Sequence, residues 1–424
     1  MNSETPFRRR FPGAAMAGIA MALIAGGAAM WYLIASGGGT GPYARQPRGA
    51  VVPELHCELS VSTPPWFLRT VDGRLAAELY SILEMFQWEY ERVPGDAPDR
   101  YFTAVQIWEW DDLESDHATP IGVRRPREDW ARRAYGMQGI CVAKKRHLEL
   151  VQDRPTEEFE LRLRQWDGAL VETLFTGEKG VSSPGWGVSP KGTRAVVCGT
   201  SGPLWDGDLS YRFNRVGVAD CVEGRFEWVF SFRSDTWGSG PRVAIGVVDA
   251  AISEDGSLVA LCGHDGKGGW AAVVDVESGE MLWRETFGEA LQMNAVVLSA
   301  DGARCYAGGG GGQLYSFDAR TGEVLSKWLI GEGDRVEYGN RLYRLAISPD
   351  GSLVAGGDAP LGRVYVWDTA TGERVYDWIT GDSTIMGLAF SPDGTKLATS
   401  GVFGKTIKVW RIEREEGDAS AKKD

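Results

Sequence analysis

Four nearly identical turns recur in the second half of the chain and restrict its fold more than any other feature. Each turn follows an alternating apolar run, begins with Asp, carries Gly four residues later, and leads within a few residues to a Trp. The turns are Asp220–Arg225, Asp275–Glu280, Asp318–Glu323 and Asp368–Glu373, and the Trp residues are Trp228, Trp283, Trp328 and Trp378. The spacings of 55, 43 and 50 residues predict an array of similar supersecondary units stacked side by side.

The segment 341–378 shows what one unit contains. It reads as four short strands joined by turns in which Pro, Asp and Gly occupy favoured positions. The same order recurs in four further segments, 187–228, 250–283, 296–328 and 388–412. Two less regular units, around Trp110-Asp111 and Trp166-Asp167, bring the count to seven. Residues 51–413 are therefore predicted to be all-β, a single β-propeller of seven four-stranded blades.

The front half of the first unit leaves two interpretations open. Within residues 72–93, Phe86, Trp88 and Tyr90 alternate as in a strand. Leu75, Leu79, Ile82 and Phe86 also fit one face of a helix. The alternation ends at Arg92, so any strand there is short.

The last unit is incomplete, and this predicts how the ring closes. No Asp-Gly-Glu turn and no fourth strand follow Ile412. The third strand would then present a bare edge, which proteins avoid. Residues 51–61, upstream of the first unit, look strand-like after Pro53. We expect this segment to become the fourth strand of the last blade.

At this point the chain resembles known propellers. The Ser-Pro-Asp-Gly turns and the Trp-Asp pairs such as Trp367-Asp368 are similar to those of the WD40-repeat family. The Asp-x-x-x-Gly-Glu turns followed by Trp also resemble the repeats of quinoprotein-type (PQQ-like) propellers. The likeness covers about residues 180–412 well and 66–178 poorly. The Gly-His pair of the standard repeat occurs once, at Gly263-His264, so the chain is similar to divergent bacterial examples.

The first 50 residues differ in composition from the repeats. Residues 13–35 carry no charge and are long enough to cross a bilayer as a helix, with Trp31 and Tyr32 near one end. Arg8–Arg10 predict that residues 1–12 are cytoplasmic, and that the propeller lies outside a cell membrane crossed once. Residues 36–50 are a Gly-rich linker, and 414–424 a disordered charged tail. A cleaved signal peptide is the alternative, although its apolar region is usually about 7–15 residues.

Charge and motif content exclude several classes of function. The net charge of −13 argues against nucleic-acid binding, which needs clustered Lys and Arg. No two of the six Cys have metal-ligand spacing, and Cys198 and Cys262 share a repeat slot that Ala307, Ala355 and Ser400 fill elsewhere, which indicates packing. Asp206 and Asp208 offer too few oxygens for Ca²⁺. No nucleophile elbow or phosphate loop occurs, so we expect no catalytic site and no cofactor.

The remaining candidate is a surface for binding other proteins. Loops between the second and third strands of the blades gather on one face of the ring. Aromatic and charged residues on these loops are candidate protein-binding residues, namely Trp205, Asp206, His264, Asp265, Asp358 and Phe403. The expected function is a membrane-anchored, non-catalytic scaffold for a protein or peptide. The alternatives are a PQQ-like or other propeller enzyme, and an envelope-assembly scaffold similar to PQQ-like lipoproteins.

Overall fold

A computed structural model defines the fold. It describes residues 51–61, 65–79, 105–114, 121–122, 138–152, 159–177, 181–201, 204–206, 209–236, 246–265, 268–288, 292–330, 341–359, 361–382, 384–402 and 404–413. The predicted membrane span 13–35, the linker 36–50 and the tail 414–424 lie outside these residues. None of the helices within the described ranges has the length and apolar character needed to span a bilayer.

The first three blades contain strands β2 to β14. Blade 1 consists of β2 Pro65–Val71, β3 Arg74–Leu79, β4 Val105–Glu109 and β5 Ile121–Gly122, with a 3₁₀ helix at Trp110–Glu114 after β4. Blade 2 consists of β6 Gln138–Val142, β7 Arg146–Gln152, β8 Phe159–Gln165 and β9 Leu170–Gly177. Blade 3 consists of β10 Val181–Val188, β11 Arg194–Ser201, β12 Leu204–Asp206, β13 Leu209–Asp220 and β14 Arg225–Thr236. Residues 74–79 are thus a strand, so the helical interpretation is wrong for Leu75 and Leu79. Ile82, Phe86, Trp88 and Tyr90 lie outside the described residues.

The remaining four blades contain strands β15 to β29 and the first strand of the chain. Blade 4 consists of β15 Gly246–Ile252, β16 Leu258–Asp265, β17 Gly268–Asp275 and β18 Met281–Thr286. Blade 5 consists of β19 Met293–Leu298, β20 Arg304–Gly309, β21 Gln313–Asp318 and β22 Val324–Leu329. Blade 6 consists of β23 Arg341–Ile347, β24 Leu353–Ala359, β25 Arg363–Asp368 and β26 Arg374–Ile379. Blade 7 consists of β27 Ile385–Phe390, β28 Lys396–Gly401, β29 Thr406–Arg411 and β1 Glu54–Ser60.

Each of these seven sheets is antiparallel, and the predicted seven-bladed propeller is confirmed. Six sheets have four strands, and blade 3 has a fifth. The first strands of blades 3 to 7 and of blade 1 contact one another in sequence, so they form the inside of the ring. The second and third strands are apolar on both faces because each blade is covered by a neighbour on either side. In β16 and β17, for example, Leu261, Cys262, Ala271 and Ala272 are all fully buried.

The predicted closure of the ring is also confirmed. Strand β1 pairs antiparallel with β29, from Glu54 opposite Arg411 to Ser60 opposite Thr406. Cys57 and Leu59 of this strand are buried in the core between blades 7 and 1. Because the fourth strand of blade 7 comes from the beginning of the domain, the two ends of the propeller are held together by a sheet.

The repeated Gly and Trp contact each other across neighbouring blades. The glycine of each of the four turns adopts a left-handed backbone, with φ of 73° at Gly224, 67° at Gly279, 75° at Gly322 and 73° at Gly372. The Trp283 side chain of blade 4 packs on the turn of blade 5, and its Nε1 donates to the Ala319 oxygen at 2.8 Å. A Cβ at Gly322 would lie 2.6 Å from the Trp283 ring, and one at Gly372 would lie 2.6 Å from Nε1 of Trp328. The turns of blades 5 and 6 therefore serve as packing surfaces for Trp283 and Trp328 of the preceding blades. This contact requires glycine in the turn, because a larger residue would collide with the Trp ring.

The cysteine slot is confirmed as a buried site, but its alignment to the other blades was wrong. Cys198 and Cys262 are completely buried, and all six cysteines are free thiols. The strand register places Gly308, Gly357 and Ser400 in the equivalent position, rather than Ala307 and Ala355. A Cβ at Gly357 would approach Cγ2 of Ile385 to 2.4 Å. The neighbouring blade limits the size of the side chain, and this limit is invisible in a linear alignment.

The turns between first and second strands are stabilised by serine and aspartate. Four of them contain a serine hydroxyl that donates to an aspartate two residues later, at 2.5–2.6 Å, in the pairs Ser253–Asp255, Ser299–Asp301, Ser348–Asp350 and Ser391–Asp393. The hydroxyls of Ser253 and Ser299 are the main reason that the pKa values of Asp255 and Asp301 are lowered. These carboxylates favour their ionised form in the folded chain.

Acid is therefore expected to weaken the propeller through these turns. Since the folded pKa values of Asp255 and Asp301 lie below the ordinary value of about 4, their contribution is complete above about pH 5. It is lost as the pH falls through the folded values. Replacing Ser253 and Ser299 with Ala should lower the free energy of unfolding at pH 7 by about 1–2 kcal/mol per site.

The pH dependence distinguishes this effect from simple packing loss. Urea unfolding between pH 7 and pH 3 should show a shallower acid loss in the Ser253→Ala/Ser299→Ala variant than in the parent chain. Ser231→Ala, at an exposed position of β14, is the control and should leave both quantities unchanged. An identical acid profile in the parent and the double variant would contradict the assignment.

Candidate interaction face

The upper face is the side of the ring where second strands pass into third strands. The strand ends Ser201, Asp265, Ala359 and Gly401 define it. The second strand of every blade follows a first strand from the inside of the ring, so all second strands run in the same direction. Their exits consequently lie on one face, as the sequence predicts.

The six residues predicted to bind a partner do not all lie in exposed loops of the upper face. Trp205 and Asp206 lie in β12, and Asp265 is the last residue of β16, so these backbones are at the upper face. Phe403 lies outside the described residues. His264 and Asp358 are not displayed in loops, because they lie within β16 and β24 and their side chains are buried. The expectation of loop exposure was wrong for these two residues, since the second strands are longer than the alternating pattern indicates.

Asp358 is the centre of a polar network inside blade 6. Its Oδ1 accepts the Arg363 backbone N–H at 2.8 Å, and its Oδ2 accepts the Tyr365 hydroxyl at 3.4 Å. Arg363 in turn donates two hydrogen bonds to the carboxylate of Asp377. Burial raises the pKa of Asp358 to about 6. Its ionisation therefore opposes folding as the pH rises from about 4 to about 6, the reverse of the turn aspartates.

A three-stranded extension of blade 3 rises beyond the upper face and was not predicted. Strands β13 and β14 each contain 12 residues, against six to eight in the other outer strands of blades 2 and 4 to 6. Strand β11 pairs with β13 only as far as Asn214, and beyond this point β12 takes its place. The exposed Phe213 lies opposite the exposed Arg233 on this extension. The alternation of Leu209, Tyr211 and Phe213 was the available signal in the sequence.

The extension is held by aromatic packing against the next blade. The Phe230 and Phe232 rings stack with centroids 5.7 Å apart. Phe232 also meets the fully buried Trp270 of blade 4 edge-on at 5.6 Å. These contacts fix the base of the extension on two blades, so the exposed side chains of Phe213 and Arg233 are presented by a rigid support.

A second polar cluster lies inside the ring. Cζ of Arg344, from β23, lies 4.2 Å from the centroid of the Phe67 ring, and Cζ of Arg69 lies 5.7 Å from it. Asp249, from β15, accepts the Val296 backbone N–H at 3.1 Å. Burial raises the pKa of Asp249, while the positive charges of Arg344 and Arg69 act in the opposite direction. Blades 1, 4 and 6 meet in this cluster, and no local sequence pattern indicates it.

Burial raises the pKa values of Cys198, Cys262 and Cys305, so these thiols do not supply a thiolate near neutral pH. Within the described ranges, no group of three or more His, Cys, Asp or Glu side chains is arranged to hold a metal ion. At the upper face, the extension of blade 3 presents the exposed side chains of Phe213 and Arg233.

Comparison with protein families identifies two kinds of repeat in the chain. Residues 373–411 match the family model described as "WD domain, G-beta repeat". Residues 267–328 match the model described as "Outer membrane protein assembly factor BamB", of the PQQ type. Both matches fall within the region that resembles these families in its turns.

Several curated proteins are similar to part of the chain. The guanine nucleotide-binding protein subunit beta of Arabidopsis thaliana is 31% identical over 145 residues, which are 33% of this chain and 37% of that protein. The small ribosomal subunit protein RACK1 of Caenorhabditis elegans is 28% identical over 95 residues, 22% of this chain and 28% of that protein. The Periodic tryptophan protein 2 homolog of Dictyostelium discoideum is 27% identical over 209 residues, which are 38% of this chain and 22% of that protein. The chain thus spans less than two-fifths of the length of each.

The fold is also similar to that of a solved structure. A chain in the crystal structure of the mitotic checkpoint complex superimposes with a TM-score of 0.53 at 15% identity, over 89% of this chain and 98% of that one. At this identity the likeness concerns the fold alone. The protein is therefore a seven-bladed β-propeller in which one segment is similar to WD40 repeats and another is similar to PQQ-type repeats.

Proposed function

We propose that the protein is a non-catalytic scaffold that binds another protein or a peptide on its upper face. The extension formed by β12, β13 and β14 carries this proposal. It places the backbones of Trp205 and Asp206 and the exposed Phe213 beyond the end of a rigid blade, where a partner can reach the extension. His264 and Asp358 are buried, and in this proposal they position the strand ends instead of touching the partner.

The similar proteins support a binding role. The names of two of them describe a subunit of a guanine nucleotide-binding protein and a component of the small ribosomal subunit. Both names denote parts of larger assemblies. A rigid ring with variable edges is suited to this task, because the fold supplies the support and the edge residues supply the specificity.

The binding proposal is tested by affinity capture with residues 45–424 and with matched variants. Trp205→Ala and Phe213→Ala should each weaken binding of the captured partner by about 30-fold or more, which is the loss typical of a hot-spot residue. Leu325→Ala, at an exposed position on the outer strand of blade 5, is the control and should bind as the parent does. Unchanged affinity in both upper-face variants would reject this face as the binding site.

We further propose that residues 13–35 anchor the propeller in a membrane, with Arg8–Arg10 on the cytoplasmic side. The length of the uncharged run and the preceding arginines support this proposal. The full chain should remain with membranes at alkaline pH, whereas residues 45–424 should be released. Release of both would contradict the anchor, and a shortened mature chain in the soluble fraction would indicate a cleaved signal peptide.

A second candidate is a scaffold in the assembly of a cell envelope. The match of residues 267–328 to the model named for an outer membrane protein assembly factor favours it. Two features argue against this candidate. The match covers a single segment of the chain. A lipoprotein carries its lipid on a cysteine directly after the N-terminal apolar run, and Cys57 lies far beyond residues 13–35. Identification of the captured partner distinguishes the two, because envelope assembly requires unfolded or nascent outer membrane proteins among the partners.

A further inference from the structure

The chain enters the propeller at the outer rim, along a short apolar segment that touches two blades. The Val51 carbonyl oxygen accepts the backbone N–H of Asp377 at 3.0 Å, at the outer strand of blade 6. From Glu54 onward the chain is the outer strand of blade 7. The segment 51–55 therefore lies on the rim where blades 6 and 7 meet.

This entry segment is unusually rich in exposed aliphatic side chains. Val51, Val52 and Leu55 expose 52%, 46% and 42% of their surface. Among the residues that the structure describes, nine large hydrophobic residues are at least 38% exposed, and three of the nine fall within five consecutive positions. Glu54 lies among them, and its carboxylate is 3.6 Å from the guanidinium of Arg411, which offsets its charge.

The position of this patch along the chain distinguishes it from other exposed aliphatic pairs. Val324 and Leu325 on blade 5 are similarly exposed but lie far along the chain from the N-terminal apolar run. The entry segment is separated from residues 13–35 by the 15 residues of 36–50. A Gly-rich linker of this length has an average end-to-end distance of about 20 Å. With residues 13–35 in the bilayer, such a short connection would give the entry segment a high effective concentration at the bilayer surface, so even a weak apolar contact would be populated.

We propose that the rim formed by Val51, Val52 and Leu55 docks on the bilayer surface. This inference rests on the membrane anchor proposed above. Burying aliphatic side chains at the apolar boundary of a bilayer lowers the free energy. In this proposal the contact depends on the buried apolar area and not on attraction between basic residues and lipid headgroups. Docking at the rim holds the ring on its edge, with its axis roughly parallel to the membrane. Both faces of the propeller then remain open to partners from the side.

The test compares a label on the patch with a label on a matched position elsewhere. The full chain is reconstituted in phosphatidylcholine liposomes with either Leu55→Cys or Leu325→Cys, each labelled with an environment-sensitive fluorophore. All six native cysteines are buried, so the introduced thiol is the one that reacts. Spin-labelled lipids should quench the label at position 55 about twofold more strongly than the label at position 325. Equal quenching at both positions overturns the docking.

Further readouts separate the competing explanations. Alkaline extraction of the same liposomes tests the anchor: a chain that is extracted refutes the anchor, whereas a retained chain with an unquenched label at position 55 refutes only the docking. Val52→Cys repeats the measurement at a second exposed position in case Leu55→Cys perturbs β1. Quenching that appears only with phosphatidylserine contradicts an apolar contact. Protection from aqueous iodide without quenching by lipid indicates contact with a second protein and also overturns the proposal.

Discussion

A chain lacking residues 51–62 is expected to lose its cooperative unfolding transition. This deletion removes β1, the strand that covers the edge of β29 and buries Cys57 and Leu59 between blades 7 and 1. Loss of one buried Leu costs about 2–5 kcal/mol, and whole domains are stable by only about 5–15 kcal/mol. Without β1, an edge strand is exposed and the two ends of the ring are no longer joined by a sheet. Calorimetry and urea unfolding measure the change.

Two controls make this expectation specific. A chain that begins at residue 51 retains β1 and is expected to unfold in one transition, as is the full chain. A synthetic peptide of residues 51–62 added to the truncated chain should restore part of the lost stability, because it supplies the same strand without the covalent connection. A truncated chain that melts at the temperature of the full chain would disprove closure by β1.

Replacing Glu149 with Ala is expected to destabilise the propeller more than any of the other single substitutions proposed for this chain. The Glu149 Oε2 accepts a hydrogen bond from Arg164 Nε at 2.8 Å, and the two side chains are 2% and 5% exposed. Arg164 also donates to the Gly168 oxygen, which holds it in place when its partner is removed. Removing one member of a buried ion pair takes away an opposite charge beside a charge that stays buried, and this costs about 3–5 kcal/mol.

Two further variants distinguish the loss of the buried ion pair from a general loss of stability on substitution. The double replacement Glu149→Leu/Arg164→Met removes both charges and should recover most of the lost free energy of unfolding. Glu223→Ala breaks an exposed pair with Arg225, whose side chains are 57% and 70% exposed, and should cost less than about 1 kcal/mol. If Glu149→Ala costs no more than Glu223→Ala in urea unfolding, the buried pair does not have the assigned role.

The sequence was a good guide where the structure depends on local geometry. A glycine four residues after Asp predicts a left-handed turn, and Gly372 adopts this conformation. The missing fourth strand after Ile412 predicts that another segment covers the edge, and the paired β1 does so. Both inferences depend on the backbone alone, because turns and unpaired strand edges have the same requirements in any fold.

The candidate site was harder to predict, because exposure depends on where each strand ends. His264 and Asp358 were expected in loops, but β16 and β24 continue through them and their side chains are buried. The extension of β13 and β14 was missed because its alternation continues from a regular blade without a break. The position equivalent to Cys198 was misaligned because a linear comparison does not see Ile385 of the next blade against Gly357.

From sequence alone, one learns that this chain repeats a four-stranded unit, that the units number seven, and that the first strand completes the last sheet. These conclusions depend on hydrophobic alternation and turn chemistry, which operate over a few residues. Only the tertiary structure decides that Arg344 lies over Phe67, that Asp358 is enclosed, and that β12 joins a ribbon above the upper face. The contact of Arg344 with Phe67 joins residues far apart in the chain, and the energies of all three features depend on packing and burial that no short pattern encodes.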